Sequence, residues 1–302
     1  MPLTSANFPT LIEPGMDEVF FSTYDRVDRG SLIPVLYKVG KSDKNTEDFH
    51  SMTGFSGEIA VMTGGVTYHE IEEGYGKTFT HDQFADGFQV ARALRDDDMY
   101  NVINRLPAKL ALKYWNKRET DAASIFNSCT SDTGPDTTAL CNTSHPSPIS
   151  GIAVRSNYLS NATTGLLNHD NLHSVARLLQ LQTDDTGAYL NLNADDILVP
   201  PALDDTAWRI VNSALRPDTA DNDANINQNR FTVHVWKKLT DTNRWFVMDR
   251  EIRKQSLLWF DRVPVEFRNV EDFDSIVEKY RAYMRYSKGY IDWPWIYGAQ
   301  PS

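Results

Sequence analysis

The sequence predicts an α+β fold, and three observations carry that reading. Leu172, Val175, Ala176 and Leu179 recur at helical spacing. The run Ile197-Leu198-Val199 is a short apolar strand stopped by Pro200-Pro201. Near the end, Val263, Val265 and Phe267 alternate with Arg262, Glu266 and Arg268, as one half of a long hairpin would. Helical and strand patterns interleaved in this way call for a domain in which both are packed around one core.

Composition excludes several classes. The 302 residues allow one large domain or two of ordinary size. Thirty basic residues against 41 acidic ones leave a formal charge of −11, which argues against a protein whose main affinity is for phosphate backbones. Apolar runs are far shorter than the ~20 residues that span a bilayer, so no membrane partner is expected. The opening residues lack a basic stretch followed by a continuous apolar one, so no secretory signal is expected. Two cysteines, Cys129 and Cys141, cannot make a disulfide scaffold or a four-ligand zinc site alone.

Taken in order, residues 1 to about 50 are broken by Pro2, Pro9, Pro14 and Gly15 and predict an irregular, extended arm. Gly57 to Phe84 predicts a projecting β-hairpin, with turns at Thr63-Gly64-Gly65 and Gly74-Tyr75-Gly76. A helix is expected from about Asp96 to Asn127, with Asp96, Asp97 and Asp98 at its positive end and a kink or a split at Pro107. Residues 128–165 are crowded with Ser, Thr, Asn, Pro and Gly and predict a long loop. After the helix at Leu172–Leu179 and the strand at Ile197–Val199, Asp205 is placed to cap a helix carrying Trp208, Ile210, Val211 and Leu215. Phe231–Trp236 and Trp245–Met248 read as strands. In the final hairpin, Tyr280, Ala282, Met284 and Tyr286 alternate with Lys279, Arg281 and Arg285. No internal repeat is visible.

Catalytic motifs are incomplete. His169 and His173 stand four apart, as in zinc proteases, but position 170 carries Asp where that chemistry needs a longer Glu. Both also border the apolar stripe of a helix that packs without metal. Gly76-Lys77-Thr78 resembles the end of a phosphate-binding loop, yet position 71 is Ile rather than Gly. No Gly-x-Ser-x-Gly elbow surrounds any serine. Cys129, Cys141 and His145 share a polar loop, one ligand short of an ordinary zinc site. No catalytic residue, metal or cofactor is therefore expected. One charge pattern is regular: Arg105, Lys109, Lys113 and Lys117 form a basic ridge that suits either a solvated face or an acidic neighbour.

Three segments resemble those of a known family. They are residues 171–214, with a helix, a Gly187 turn, a strand ending in Pro200-Pro201 and a second helix; residues 274–298, rich in tyrosine and closing on Asp292-Trp293; and residues 105–129. Their order is similar to that of the major capsid protein of tailed bacteriophages, the Hong Kong 97-type fold, in its Mu-like head-subunit branch. That resemblance implies an N-terminal arm at 1–50, an extended β-hairpin loop at 51–88, and a spine helix with the first part of a peripheral domain at 89–164. An axial domain at 165–261, a peripheral-domain hairpin at 262–289 and a return to the axial domain at 290–302 complete it. No long helical leader precedes the arm, so a separate scaffold or none is expected.

It further implies self-assembly into hexamers and pentamers of an icosahedral shell, a portal protein, decoration proteins, and packaged double-stranded DNA held without sequence-specific binding. Assembly would take place in the host cytoplasm. Candidate subunit contacts are Ile59, Val61, Val66, Ile71 and Phe79 on the hairpin, and Arg105, Lys109, Lys113 and Lys117 on the helix. Two rivals stand beside this reading: a bacterial nanocompartment shell of the same fold, and a zinc-dependent hydrolase using His169 and His173.

Overall fold

The computed structural model describes residues 9–54, 66, 68, 71, 73–97, 103–149, 152–217, 219, 223–272 and 276–301. The chain opens with a helix, α1 (Pro9–Asp28), where an irregular arm was expected. Met16, Phe20 and Tyr24 explain the difference, because they recur every four residues and are buried. That face packs along a second long helix, and the Phe20 ring stacks on Phe267 at 4.7 Å. Tertiary burial outweighs the local cost of Pro14 and Gly15.

A single turn, α2 (Ile33–Leu36), leads into β1 (Lys38–Lys41). Then β2 (Thr46–Met52) pairs antiparallel with β3 (Glu73–Thr80) as a separate two-stranded ribbon. The turn expected at Gly74-Tyr75-Gly76 is instead part of β3, with Gly76 opposite His50. These glycines serve close approach rather than reversal: a Cβ at Gly74 would lie 2.3 Å from the Ser51 hydroxyl. The expected turn at Thr63-Gly64-Gly65 lies outside the described residues. Next, β4 (Asp82–Ala91) leaves the ribbon and joins a larger sheet, so Phe84 is not part of a free hairpin.

The helix expected from Asp96 is divided. A short α3 (Arg92–Asp96) ends there, and the long α4 runs from Leu106 to Asn127. Pro107 falls in the first turn of α4, where its missing N–H costs nothing and no kink is required. The described residues of 128–165 form the expected long excursion, with β5 (Tyr158–Ser160) as their one strand. The next helix, α5 (His169–Gln180), is capped by Asn168, whose side chain accepts from the Asn171 amide at 2.8 Å. Leu172, Val175, Ala176 and Leu179 are all fully buried. Gly187, at φ +88°, makes the expected turn, braced by Asp184 Oδ1 accepting from the Thr186 and Ala188 amides.

Strand β6 (Asp196–Val199) is buried throughout. In α6 (Asp204–Asn212), Asp204 and Asp205 occupy the first turn, where they complement the helix dipole without forming a side-chain cap. Leu215 lies beyond that helix, half exposed. Then follow β7 (Thr232–Val235), β8 (Trp245–Met248) and α7 (Arg250–Ser256). The final hairpin is longer than its alternation alone predicts: β9 spans Leu257–Asp272 and β10 spans Val277–Tyr290. Tyr280, Ala282, Met284 and Tyr286 all point inward, as their spacing requires. The chain then enters β11 (Ile296–Gln300).

Two sheets organise these elements. A four-stranded sheet has the order β1-β9-β10-β4, antiparallel except where β1 runs parallel to β9. The long helix α4 packs on it, fixed by the Tyr114 hydroxyl donating to the Ala282 carbonyl at 2.5 Å. A five-stranded sheet has the order β5-β11-β8-β6-β7, and α5 packs on its β11 and β8 strands. One core joins α1 and α4 to Trp236, Trp259, Trp293 and Trp295; the other lies among α5, α6, β6 and β8.

Candidate subunit interface

The ribbon of β2 and β3 is anchored at its foot and held again near its other end, where the Tyr75 hydroxyl donates to the Pro146 carbonyl at 3.3 Å and Thr53 is buried. At its foot Phe79 is only 2% exposed, with its ring 5.5 Å from both Phe49 and Phe260. Gly289 makes room, since a Cβ there would lie 2.6 Å from the Phe79 ring. Phe79 is therefore a core residue of its own chain, not a subunit contact. Spacing could not reveal this, because the ring is covered by a strand nearly two hundred residues away.

At Met52, the last residue of β2, and at described residues between the two strands, side chains lose their cover. Val66 and Ile71 are exposed, Met52 is 77% exposed and Tyr68 is 90% exposed. A two-stranded ribbon has no second layer to bury such groups. Met52 and Tyr68 are apolar contact candidates that the sequence reading left out. Ile59 and Val61 lie outside the described residues.

A second surface lies beside α4. Phe84, Ala85 and Asp86 of β4, Lys113, Tyr114, Lys117 and Thr120 of α4, and Met284 of β10 line an open, mainly apolar groove of about 470 Å³. Its rim is basic but not unpaired. Lys113 bonds to Asp86, while Lys117 donates to Asp121 Oδ1 at 2.8 Å and sits 4.9 Å above the Phe84 ring. Asp86 is held below the usual carboxylate range, first by the hydrogen bond from Lys113 and then by the Gly87 amide. Burial pushes the Tyr114 hydroxyl up to about 12, so it stays a neutral donor to Ala282. Arg105 lies in the turn before α4, and Arg105 and Lys109 are both exposed. The four basic residues thus follow one edge of the helix, with the lower two engaged by acidic neighbours of the same chain.

The remaining chemical candidates are dispersed. Asp170 accepts from Arg216 at 2.6 Å and lies 3.2 Å from the ring of His169, so its carboxylate is an ion-pair partner. His145 is buried 2.6 Å from Asp136 and stacked on Trp293 at 3.8 Å, held by its own partners rather than by the cysteines. Among the described residues no three His, Cys, Asp or Glu side chains gather as a metal site. Among them, too, no helix is long and apolar enough to cross a membrane.

An extended ribbon, a long helix on a four-stranded sheet and a separate five-stranded sheet define the framework. A family model for phage capsid protein matches residues 74–297, from β3 to β11. The chain belongs to the phage capsid protein family. It is a major capsid protein with the Hong Kong 97-type fold, and solved phage capsids share that fold. The capsid of cyanophage P-SCSP1u superposes with a TM-score of 0.61 at 12% identity, covering 88% of this chain and 86% of that one. The capsid of the native GTA particle gives 0.60 at 12% identity, covering 89% of each. The bacteriophage JBD30 capsid gives 0.58 at 14% identity, covering 70% of this chain and 91% of that one. No curated protein matches the chain. At such identities the superpositions establish the fold, while the family match establishes the kind of protein. Neither rival, the nanocompartment shell nor the zinc hydrolase, is favoured by these matches.

Proposed function

We propose that this capsid protein assembles with itself into hexamers and pentamers of an icosahedral shell that encloses double-stranded DNA, and that it acts without catalysis. The observation carrying the reading is the family match, which runs from the ribbon through the long helix to the last strand. Identical chains in a closed shell occupy slightly different surroundings. Rigid sheets then make the repeated contacts, and thin projections absorb the differences.

The ribbon is such a projection. Its foot is fixed by Phe79, and beyond it Met52, Val66, Tyr68 and Ile71 offer apolar surface to a second copy. The groove of Phe84, Tyr114 and Met284 is a complementary surface, with Lys113 and Lys117 on its rim to meet the acidic side chains of a neighbour. In this scheme the extended loop is the β2–β3 ribbon, about residues 46–80. The peripheral domain takes α4, β4, β9 and β10, and the axial domain takes the five-stranded sheet with α5 and α6. The Mu-like branch rests on the sequence resemblance described above.

A portal, a separate scaffold or none, and decoration proteins complete the scheme. Support for decoration comes from the JBD30 shell, which carries minor capsid protein trimers. An acidic subunit suits a container that must not hold its DNA tightly. Assembly would occur in the host cytoplasm, before release. Electron microscopy of purified protein tests the shell, and the cargo tests its contents. DNA inside supports the head-protein reading, whereas enclosed enzymes would support a nanocompartment.

A further inference from the structure

Cys129 and Cys141 lie together between the end of α4 and the five-stranded sheet. Cys129 directly follows Ser128, the residue that closes α4, and Cys141 Sγ lies 3.0 Å from where a Cβ on Gly298 of β11 would stand. The Cys141 amide donates to the Cys129 carbonyl at 2.7 Å, and between them the chain reverses through the Thr133–Ala139 bridge. One backbone N–H···O=C bond of that length keeps the two Cα atoms within roughly 7 Å of each other, about the ~4.4–6.8 Å span that a disulfide bridges. Both thiols are free and buried.

We propose that Cys129 and Cys141 are a modification site, a thiol pair that closes into an intrachain disulfide and ties the end of α4 to the loop that packs beside Gly298 of β11. The reactive member is Cys129. Its thiolate is favoured by the Cys141 thiol as donor and by the Arg244 guanidinium, whose Nη1 lies 3.6 Å from its sulfur. Cys141 is held protonated by burial. Thr130, Ser131 and Asp132 in the intervening turn are exposed, so opening this turn uncovers Cys129.

The oxidant is a small disulfide of the glutathione type. The Cys129 thiolate attacks one of its sulfurs, the small S–S bond breaks, and one thiol leaves, giving a mixed disulfide. Cys141 then loses its proton and attacks the Cys129 sulfur, which expels the second small thiol. Two protein thiols and one small disulfide become one protein disulfide and two small thiols.

The test treats the folded, fully reduced chain with oxidised glutathione, then combines peptide mapping with a thermal melt. The proposal expects a Cys129–Cys141 linked peptide as the main product, with no glutathione retained. It also expects Tm to rise by roughly 5 °C and a reductant to reverse that rise. Cys141→Ser should instead retain glutathione at Cys129; if that variant fails to fold, Cys141→Ala supplies the same readout. Two free thiols persisting in the oxidised, folded wild-type chain would overturn the proposal. So would a stable glutathione adduct on wild-type Cys129, or linkage only between chains.

Discussion

Arg253 Nη1 lies 2.6 Å from Asp196 Oδ2, with both side chains closed off from solvent. Asp196 stands on β6, and Arg253 also donates through Nε to the Leu36 carbonyl at 3.0 Å. The pair therefore ties the five-stranded sheet to the segment just before β1. Arg250 Nη2 reaches Asp196 Oδ1 at 2.6 Å, and His234 Nε2 lies 3.4 Å from the same oxygen. Arg253→Met leaves a buried carboxylate short of its one fully buried cationic partner and should cost about 3 kcal/mol in a thermal or denaturant melt.

The same pair sets a pH dependence. Burial pushes the Asp196 carboxyl upward, but its contacts with His234, Arg250 and Arg253 outweigh that and hold it well below the usual carboxylate range. As pH falls through about 4, the unfolded chain takes up a proton at this residue while the folded chain does not. The stabilisation is fully present above that pH and declines below it. Melting curves from pH 6 to pH 3 should show a steeper loss for wild type than for Asp196→Asn, which starts less stable.

Phe79 and Tyr68 should separate folding from assembly. Phe79→Ala removes a buried ring from between Phe49 and Phe260 and should destabilise the chain by about 3–5 kcal/mol. Tyr68→Ser alters a side chain that touches almost nothing in its own chain and should change stability by no more than about 0.5 kcal/mol. Sedimentation should then show Tyr68→Ser subunits folded yet slower to form large particles.

How much of this was legible follows from where each signal resides. The final hairpin, α5 and the buried strand β6 were readable because their apolar residues repeat at the period of the element they form. The helix α1 was not, since its face of Met16, Phe20 and Tyr24 gains meaning only against α4. The glycines at 74 and 76 were read as turns because a close strand approach leaves no separate sequence mark. The basic ridge was visible at its spacing of four, while its pairing with Asp86 and Asp121 depends on β4 and on the helix's own next turn. Phe79 and Tyr68 look alike in sequence, and only the packing of Phe49, Phe260 and Gly289 around Phe79 distinguishes the buried ring from the exposed one.

The lysine rim gives a charge-reversal experiment. Lys113 and Lys117 are largely exposed, so their ion pairs contribute about 0–1 kcal/mol each to folding. The double variant Lys113→Glu/Lys117→Glu should therefore melt close to wild type. Light scattering should show slower assembly, with the difference narrowing as added salt screens surface charge. Equal assembly rates at low salt would remove the rim from the contact surface.

Gly87 marks a point of no tolerance in the four-stranded sheet. A Cβ there would lie 2.1 Å from the Tyr280 carbonyl oxygen, a backbone atom that cannot turn aside. Gly87→Ala should push β4 away from β10, with a loss of about 1–3 kcal/mol or more in a denaturant melt. Hydrogen exchange should show the added opening at β4 before it appears in the five-stranded sheet.

The most direct measurement is electron microscopy of the purified protein, imaged beside a particle formed in the producing cell. The account predicts closed shells with six-fold and five-fold rings, and DNA inside those taken from cells. Folded monomers that remain monomers at every protein and salt concentration would contradict it.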